Sequence, residues 1–402
     1  MRIEYIQSFQ IDKNVTFTGA MVAIEGTKAF MIQKCGYILL TDITVINVLQ
    51  CKTVPEYLYR ILKSRKFLIS SNIKESKEKE IEVRPEFFMI DMTNKCNLRC
   101  NYCLRNLEQE ENCISTEKLR DIGKFITTYC DEYKIANISV QAWGGEPLLE
   151  KNKIIALTKF ITPQKTKVHY SIETNATLLT NDVIEELYKN HIGIGISIDG
   201  DRKCHDLQRT FVSGKGSYDT VKKNLLQAQR YYKNKIGTIT TITKQTAVHI
   251  EIIEHLVLDL HISNIKLNFV HASTYTHGQN QCLNTQEIAD TELRILYKII
   301  ELQERGYDVM EHNIFIKLKN LLFREYADIC LSCGCCGGEK MIVFDMDGNI
   351  YPCELTDDAS FVIGSIYKKE SLIEQIKMTI DKDKAFFKMK KAVECEKCYW
   401  KF

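Results

Sequence analysis

Alternating apolar and amphipathic stretches dominate the middle of the chain. Between about residue 84 and residue 272, short apolar runs are separated by longer stretches with apolar residues at helical spacing. This alternation predicts parallel strands joined by helices, because two parallel strands need a long crossover connection. The predicted strands are 87–93, 137–143, 167–174, 191–198, 236–243 and 262–270.

The first seventy residues have a different pattern. Strand-like runs at 17–24, 29–32 and 37–40 precede two predicted helices, 42–50 and 53–64, and a last short run at 67–69. A small sheet with paired helices resembles a winged-helix domain, so we predict such a domain over residues 1–72. Residues 73–84 are charged and poor in large apolar side chains, which is typical of a solvated linker.

Beyond the six strand and helix units, a helix is predicted from about Thr285 to Arg305. The chain then becomes rich in cysteine. We therefore divide it into an N-terminal domain (1–72), a linker (73–84), a central α/β domain (85–310) and a cysteine-rich C-terminal domain (311–402).

Three cysteines stand close together directly after the first predicted strand of the central domain. Cys96, Cys100 and Cys103 have the spacing C-x3-C-x2-C, so one loop can direct three sulfurs towards one face of an iron–sulfur cluster. A cubane [4Fe–4S] cluster normally takes four thiolates, and three would leave one iron open to another ligand. A zinc site with a distant fourth ligand is the alternative.

Three further motifs stand at the ends of predicted strands: Trp143–Pro147, Glu173–Ala176 and Ser197–Gly200, the last followed by His205–Arg209. With the cysteine loop, they resemble the motifs of radical S-adenosylmethionine (SAM) enzymes. The resemblance implies a partial (β/α)6 TIM-type barrel, in which functional groups collect at the carboxyl ends of the strands. It also implies that the open iron binds SAM and that SAM is cleaved to a 5′-deoxyadenosyl radical.

The same resemblance assigns a SAM pocket. Tyr102 is expected to face adenine, and the Gly-Gly-Glu segment to contact the methionine part of SAM. Short polar groups at strand ends can bind ribose or carboxylate, and an arginine fork can pair with the carboxylate. Ordinary turns and loop caps are the alternative for these positions. The predicted contacts are Tyr102, Gly144, Gly145, Glu146, Asn175, Ser197, Asp199 and Arg209; no general base can be assigned.

The C-terminal cysteines are Cys330, Cys333, Cys335, Cys336, Cys353, Cys395 and Cys398. Residues 348–353 resemble the Gly-x4-Cys hairpin of SPASM and twitch extensions, and 395–398 resemble their later C-x2-C. The resemblance implies an auxiliary [4Fe–4S] cluster, most simply on Cys336 (or Cys335), Cys353, Cys395 and Cys398. Seven thiols are one short of two fully ligated clusters, so we favour one. Two clusters, one with an open iron, and a structural zinc remain alternatives.

Composition narrows the classes of partner. The chain has 402 residues, and its 54 basic residues nearly balance 52 acidic ones, so we expect no nucleic-acid partner. No apolar stretch reaches the length of a membrane helix, so we expect no membrane partner. Sixteen cysteines in a long chain that starts without a signal-like segment indicate a reducing cytoplasm.

The predicted function is modification of a ribosomally synthesised precursor peptide by a thioether or carbon–carbon crosslink. In the radical SAM peptide maturases that this chain resembles, a winged-helix domain binds the leader of the precursor by strand addition. A structural cap on the barrel is the alternative for residues 1–72. A reductant such as flavodoxin or ferredoxin is the second expected partner. An anaerobic sulfatase-maturating enzyme and a noncatalytic iron–sulfur or scaffold protein are the alternatives.

Overall fold

The structure is a computed structural model. It describes residues 5–12, 15–23, 28–32, 38–42, 54–64, 68–70, 83–105, 110–270, 281–323, 337–354 and 359–381. These residues form an N-terminal antiparallel sheet, a large mostly parallel central sheet and a separate two-stranded ribbon.

The N-terminal sheet contains β1 (Tyr5–Asp12), β2 (Val15–Ala23), β3 (Lys28–Ile32), β4 (Ile38–Asp42) and β5 (Leu68–Ser70), with helix α1 (Glu56–Ser64) between β4 and β5. All its strand pairs are antiparallel, and β2 pairs with β1, β3 and β5. The predicted strands are confirmed, whereas β1 was not predicted. The predicted helix 42–50 falls mostly outside the described residues, so the winged-helix assignment stays a prediction.

The remaining strands are β6 (Phe87–Thr93), β7 (Leu98–Cys100), β8 (Asn137–Gly144), β9 (Lys167–Thr174), β10 (Ile192–Ser197), β11 (Arg209–Phe211), β12 (Gly237–Ile242), β13 (Asn264–Phe269), β14 (Met310–Glu311), β15 (Met341–Phe344), β16 (Asn349–Tyr351) and β17 (Gly364–Ser365). The ten-stranded central sheet has the order β14-β13-β12-β10-β9-β8-β6-β15-β16-β17, and β7 pairs with β11 in the ribbon.

The helices are α2 (Thr116–Glu132), α3 (Lys151–Phe160), α4 (Asn181–Lys189), α5 (Arg202–Gln208), α6 (Tyr218–Tyr232), α7 (Glu251–Glu254), α8 (Thr285–Glu304), α9 (His312–Phe323) and α10 (Leu372–Asp381). A π-helical turn, His255–Asp259, follows α7, and single 3-10 turns lie at Pro147–Glu150, Lys233–Lys235 and Ala359–Phe361. None of the helices in the described ranges has the length and apolar character that crossing a membrane requires.

The six predicted strands of the central domain are confirmed as β6, β8, β9, β10, β12 and β13. They are parallel neighbours in chain order, with helical crossovers between most of them. Their carboxyl ends therefore lie along one edge of the sheet. The cysteine loop and the other motifs follow these ends.

Alternation of side chains separates two faces of the central sheet. Apolar residues such as Phe88, Ile90 and Ile172 belong to the main core with the helices. On β6 the intervening Met89 belongs to a second small cluster, against which Trp143 packs. We call this second side the inner face.

A C-terminal hairpin extends the same sheet. Strand β15 pairs in parallel with β6, with Val343 opposite Met89, and in antiparallel fashion with β16. The turn between β15 and β16 uses Gly348 at a φ of +85°, a conformation that favours glycine. Cys353 follows this hairpin and packs against the small cluster on the inner face.

Candidate functional site

Backbone pairing holds the cysteine loop in shape. Strand β7, inside the loop, pairs with β11 so that Cys100 lies opposite Arg209. Beyond the ladder, the backbone amide of Asn101 donates to the carbonyl oxygen of Gln208 at 3.0 Å. The loop is thereby tied to a segment more than a hundred residues later in the chain.

All three loop cysteines are free and half-buried. The pKa of the Cys96 thiol is raised to about 11 and that of the Cys100 thiol to about 12, mainly by burial and in smaller part by negative charge on Cys103. The thiols are thus close enough to interact electrostatically. Their deprotonation requires a compensating positive charge, which bound iron supplies.

The described residues contain no group of three or more His, Cys, Asp or Glu side chains placed to hold one metal ion. In a cubane each thiolate binds a different iron, so the sulfurs need not converge on one point. The donor set of three neighbouring thiols on one loop therefore fits a cluster better than a single zinc ion.

The glycines that end β8 support the cysteine loop rather than an open space. The amide of Gly145 donates to the Thr93 carbonyl at 2.7 Å, and that of Glu146 to the Lys95 carbonyl at 2.8 Å. A Cβ atom at Gly144 would lie 2.3 Å from the Thr93 oxygen, and one at Gly145 would lie 2.2 Å from the Lys95 oxygen. Both glycines are needed because two backbone segments meet here.

Glu146 is a buried carboxylate that joins two strand ends. Its Oε1 accepts hydrogen bonds from the amide of Leu148 at 3.0 Å and the hydroxyl of Thr174 at 2.6 Å. Its Oε2 accepts one bond, from the amide of Asn175 at 2.8 Å. Burial raises the pKa of Glu146, and these three donors oppose the rise. Oε2 retains capacity for a further donor, such as a ligand ammonium group.

Asn175, at the end of β9, reaches back to the cysteine loop. Its amide nitrogen donates to Asn97 Oδ1 at 2.9 Å and lies 3.9 Å from Cys96 Sγ, while its Oδ1 accepts from the amide of Thr177 at 3.0 Å. Ser197 ends β10 and is half-buried. Within the described residues its hydroxyl has no hydrogen bond assigned.

Asp199 is fully buried and is surrounded by protein donors. Its Oδ2 accepts from Tyr102 Oη at 2.7 Å, Arg209 Nε at 2.8 Å and Gln208 Nε2 at 3.0 Å, and its Oδ1 from the Thr241 amide at 2.9 Å. A ribose hydroxyl would have to compete with these donors. The arrangement suits Asp199 to orient Arg209 and Tyr102.

Arg209 lies between Asp199 and the ring of Tyr102. Its guanidinium carbon is 5.3 Å from the ring centroid. The ion pair with Asp199 raises the pKa of Arg209 above its usual range against the cost of burial, and burial raises the pKa of Tyr102 well above its usual value. Arg209 is therefore a fixed cation beside Cys100, and Tyr102 is a neutral phenol.

His205 and Gln208 were quoted within a motif but given no role by sequence reasoning. His205 Nδ1 accepts from the Asp199 amide at 3.2 Å, and Nε2 pairs with Ser217 Oγ at 2.9 Å, which donates to the Arg209 carbonyl at 2.7 Å. The sequence feature that could have indicated a role for His205 and Gln208 is the density of polar residues in this short segment. His205 contacts the backbone amide of Asp199 and Gln208 contacts its carboxylate. Both residues therefore support the Asp199–Arg209 ion pair.

We expect His205 to make stability depend on pH. Burial lowers its pKa to about 4, so between that value and its ordinary pKa the unfolded chain binds a proton that the folded protein does not. Stability is fully present above about pH 6.5 and falls towards pH 4, by roughly 3 kcal/mol at most. Urea unfolding at pH 7 and pH 5 measures the loss.

The matched variant is His205→Asn, which retains an oxygen that can accept from the Asp199 amide. It should lose less stability than the wild type between these two pH values. Other titrating groups, including Glu146, affect both proteins alike. Equal pH dependence in the two proteins would show that His205 does not carry the effect.

The inner face also carries charged residues that sequence reasoning missed. Arg105 donates to Asp91 at 2.8 Å and lies 5.9 Å from the Trp143 ring centroid. Burial raises the pKa of Glu173, and Lys266 opposes this rise. Asp91, Glu173 and Lys266 alternate with core positions in their strands, whereas Arg105 follows the cysteine loop. Only the fold shows that these charged residues lie on one face.

Cys353 is the one predicted tail ligand among the described residues. It packs beside Met89, Met341 and Val343 on the inner face, and its thiol donates to Glu354 Oε2 at 3.1 Å. The other predicted tail ligands, Cys330, Cys333, Cys335, Cys336, Cys395 and Cys398, lie outside the described residues. The number of auxiliary clusters stays a prediction.

Residues 90–257 match the family model of the radical SAM superfamily. A cysteine-type anaerobic sulfatase-maturating enzyme from Clostridium novyi (strain NT) is 25% identical over 319 residues, covering 77% of this chain and 83% of that protein. The structure of anSMEcpe with bound AdoMet has a TM-score of 0.69 at 22% identity, covering 79% of this chain and 87% of that one.

The structure of Streptococcus suis SuiB bound to precursor peptide SuiA has a TM-score of 0.56 at 16% identity and covers 98% of this chain and 94% of that one. With the family match, these similarities confirm the resemblance drawn from the cysteine loop and the three further motifs. Radical SAM enzymes use a [4Fe–4S] cluster and SAM.

Proposed function

Because this chain is a radical SAM enzyme, we propose that it is a peptide maturase, which forms a thioether or carbon–carbon crosslink in a ribosomally synthesised precursor peptide. Two related observations support this choice. A five-stranded sheet precedes the central domain, and the likeness to peptide-bound SuiB extends over 98% of the chain, compared with 79% for anSMEcpe.

We assign the cluster to Cys96, Cys100 and Cys103. When bound, the cluster and SAM supply a 5′-deoxyadenosyl radical that takes a hydrogen atom from the substrate. The chain's own task is to hold these groups in place, and the β7–β11 ribbon and the backbone contacts of Gly144 and Gly145 give the loop one shape. Such positioning is the main protein contribution in cofactor chemistry.

The pocket residues divide into those that can contact SAM and those that orient them. Glu146 Oε2 can accept from the ammonium group of SAM, and Arg209 can pair with its carboxylate, because Nε alone is used by Asp199. Asn175 and Ser197 lie at the neighbouring strand ends and offer polar groups to the ribose. Asp199 and the phenol of Tyr102 act as positioning groups, with the Tyr102 segment beside adenine.

We assign peptide recognition to the N-terminal sheet. Its strand β4 pairs only with β3 among the described strands, so one edge offers backbone groups to an added strand. Strand addition gives affinity through main-chain hydrogen bonds, while the alternating side chains give specificity. The winged-helix character of residues 1–72 belongs to this proposal.

We assign Cys353 to one auxiliary [4Fe–4S] cluster, with its remaining ligands among the tail cysteines. Its position beside Met89 and near Trp143 supports this assignment, because Trp143 directly precedes the Gly-Gly-Glu segment. A tail cluster would then lie on the same inner face as the charged residues Asp91, Arg105 and Glu173.

Formylglycine formation on a sulfatase is the second candidate. The extended similarity to the Clostridium novyi sulfatase-maturating enzyme and the higher TM-score of anSMEcpe favour it. The N-terminal sheet favours the precursor peptide instead.

The test is anaerobic incubation of the reduced, cluster-loaded enzyme with SAM and peptide. With a full precursor peptide that contains leader and core, we expect 5′-deoxyadenosine and a product that lacks two hydrogens. The same core without its leader should react poorly. A Cys-containing sulfatase peptide converted to formylglycine, with the precursor unmodified, would reverse the assignment, and a scaffold would form no 5′-deoxyadenosine.

A further inference from the structure

The inner face of the central sheet carries two opposite charges that the proposed SAM pocket does not use. Glu173 lies on β9 and Lys266 on β13, and both are half-buried. Their neighbours in sequence, Ile172 and Leu267, belong to the main core on the other side of the sheet. Because successive side chains of a strand point to opposite faces, Glu173 and Lys266 can both contact a molecule bound against the inner face.

The two strands between these residues form a floor of small and apolar groups. Gly195 of β10 lies opposite Glu173 in the parallel ladder, and Ile239 of β12 lies opposite Lys266. A Cβ atom at Gly195 would lie 3.4 Å from Glu173 Cγ and 3.7 Å from Ile239 Cδ1. The carboxyl group and the ammonium group therefore stand on the two sides of a floor that offers no hydrogen-bonding side chain at these positions.

Glu173 and Lys266 interact electrostatically but do not touch. Burial raises the pKa of Glu173, Lys266 and then Gln141 oppose this rise, and negative charge on Glu354 adds to it. In the part of the chain that the structure describes, no salt bridge joins Glu173 to Lys266. The space between the two charged groups is therefore wider than a direct ion pair.

This arrangement suits a group with a hydrogen-bond donor at one end and an acceptor at the other. An amide has both, because its N–H can donate to the Glu173 carboxylate and its carbonyl oxygen can accept from the Lys266 ammonium group. Two hydrogen bonds of about 2.9 Å on either side of an amide place the flanking charged atoms about 8 Å apart. An amide can thus bridge two side chains that do not meet directly.

The charges of the inner face also disfavour an ionic group at this position. A cationic group would be repelled by Lys266, and an anionic group by Glu173 and by Glu354, which interacts with Glu173. A neutral amide leaves the opposite charges of Glu173 and Lys266 balanced and gives each a hydrogen-bond partner. Charge complementarity therefore favours an amide over a charged side chain.

We propose that Glu173 and Lys266, here called the inner-face pair, bind one amide group of the peptide substrate. The inference rests on the proposed peptide maturase function. The amide belongs either to the main chain of the peptide or to an Asn or Gln side chain. Binding it positions the reacting segment, which decides whether the 5′-deoxyadenosyl radical takes hydrogen from the intended carbon.

The test measures the amount of modified peptide formed for each 5′-deoxyadenosine released by the cluster-loaded, full-length enzyme. With the precursor peptide of leader and core, we expect Lys266→Met and Glu173→Leu each to lower this ratio about tenfold, the effect of losing one hydrogen bond to a charged group. Glu173→Gln keeps an oxygen that accepts from an amide N–H, so its ratio should fall by no more than about threefold.

A second precursor peptide identifies the source of the amide. Every Asn and Gln of its core is replaced with Ala, and it is tested with the wild-type enzyme. If the inner-face variants lower the ratio and this peptide does not, the amide belongs to the main chain. If this peptide also lowers the ratio about tenfold, the amide belongs to a side chain.

The control variants are Lys223→Met on α6 and Glu304→Leu on α8, which remove the same two charges from exposed helical positions. They should keep the wild-type ratio. An unchanged ratio in Lys266→Met, or an equal fall in the controls, overturns the inference, and Lys266→Met alone decides if Glu173→Leu does not fold. A wild-type enzyme that forms 5′-deoxyadenosine but leaves the precursor unmodified contradicts the proposed function instead.

Discussion

Replacing Cys96, Cys100 and Cys103 together with alanine is expected to abolish 5′-deoxyadenosine formation. The variant should also lose about four iron atoms per chain, because each cubane contains four. If the tail holds one auxiliary cluster, about four iron atoms remain, and if it holds two, about eight remain. Iron and sulfide analysis of the anaerobically reconstituted protein measures both outcomes.

A matched control replaces two other half-buried cysteines, Cys113 and Cys282. Neither is assigned to a cluster, so their alanine variants should keep the full iron content and activity. Retention of all iron in the triple variant would mean that the loop holds no cluster. Loss of all iron would mean that the tail cluster requires the loop to be loaded.

The second large effect is expected for Gly145→Ala. Its Cβ would lie 2.2 Å from the Lys95 carbonyl oxygen and 2.6 Å from the Lys95 carbonyl carbon, and both atoms belong to the backbone. No side-chain rotation relieves this contact, so the start of the cysteine loop must move. We expect a loss of about 1–3 kcal/mol in stability and about a hundredfold lower rate of 5′-deoxyadenosine formation.

Gly237→Ala provides the control because Gly237 also lies in a strand of the central sheet. No atom lies within 4 Å of the position its Cβ would take. Thermal unfolding and anaerobic turnover of both variants should separate a general effect of alanine in a strand from displacement of the loop. If both variants behaved like the wild type, the loop would tolerate movement at Lys95, and the glycine contact would not matter for activity.

The position of the cysteine loop depends on contacts from several strand ends of the central sheet. In the proposed site the thiols would supply the ligands, whereas Gly145 and the β7–β11 ribbon fix the position of the loop that carries them. Residues from four strand ends meet there: Glu146 contacts Asn175, Asn175 contacts the cysteine loop, and Asp199 contacts Tyr102 in that loop. A substitution at any of these contacts is therefore expected to change the position of several groups together.

The sequence alone determined the secondary structure of the central domain and the identity of its motifs. All six predicted strands of the central domain are present within one or two residues, because a buried strand between amphipathic helices has a strong local pattern. The cysteine spacing and the Gly-Gly-Glu segment are equally local. These local motifs were sufficient to identify the superfamily, and the family match over residues 90–257 confirms that identification.

Only the tertiary structure shows which contacts the motif residues make within the protein. The carboxylate of Asp199 accepts hydrogen bonds from four protein donors, and Gly145 lies against the Lys95 backbone. Neither contact follows from the sequence, and the SAM contacts of both residues stay a prediction. The addition of β15 to β6, which brings Cys353 to the inner face, was likewise not predicted. The physical reason is sequence separation: local patterns specify strands and helices, whereas hydrogen bonds and packing between distant segments exist only once the chain has folded.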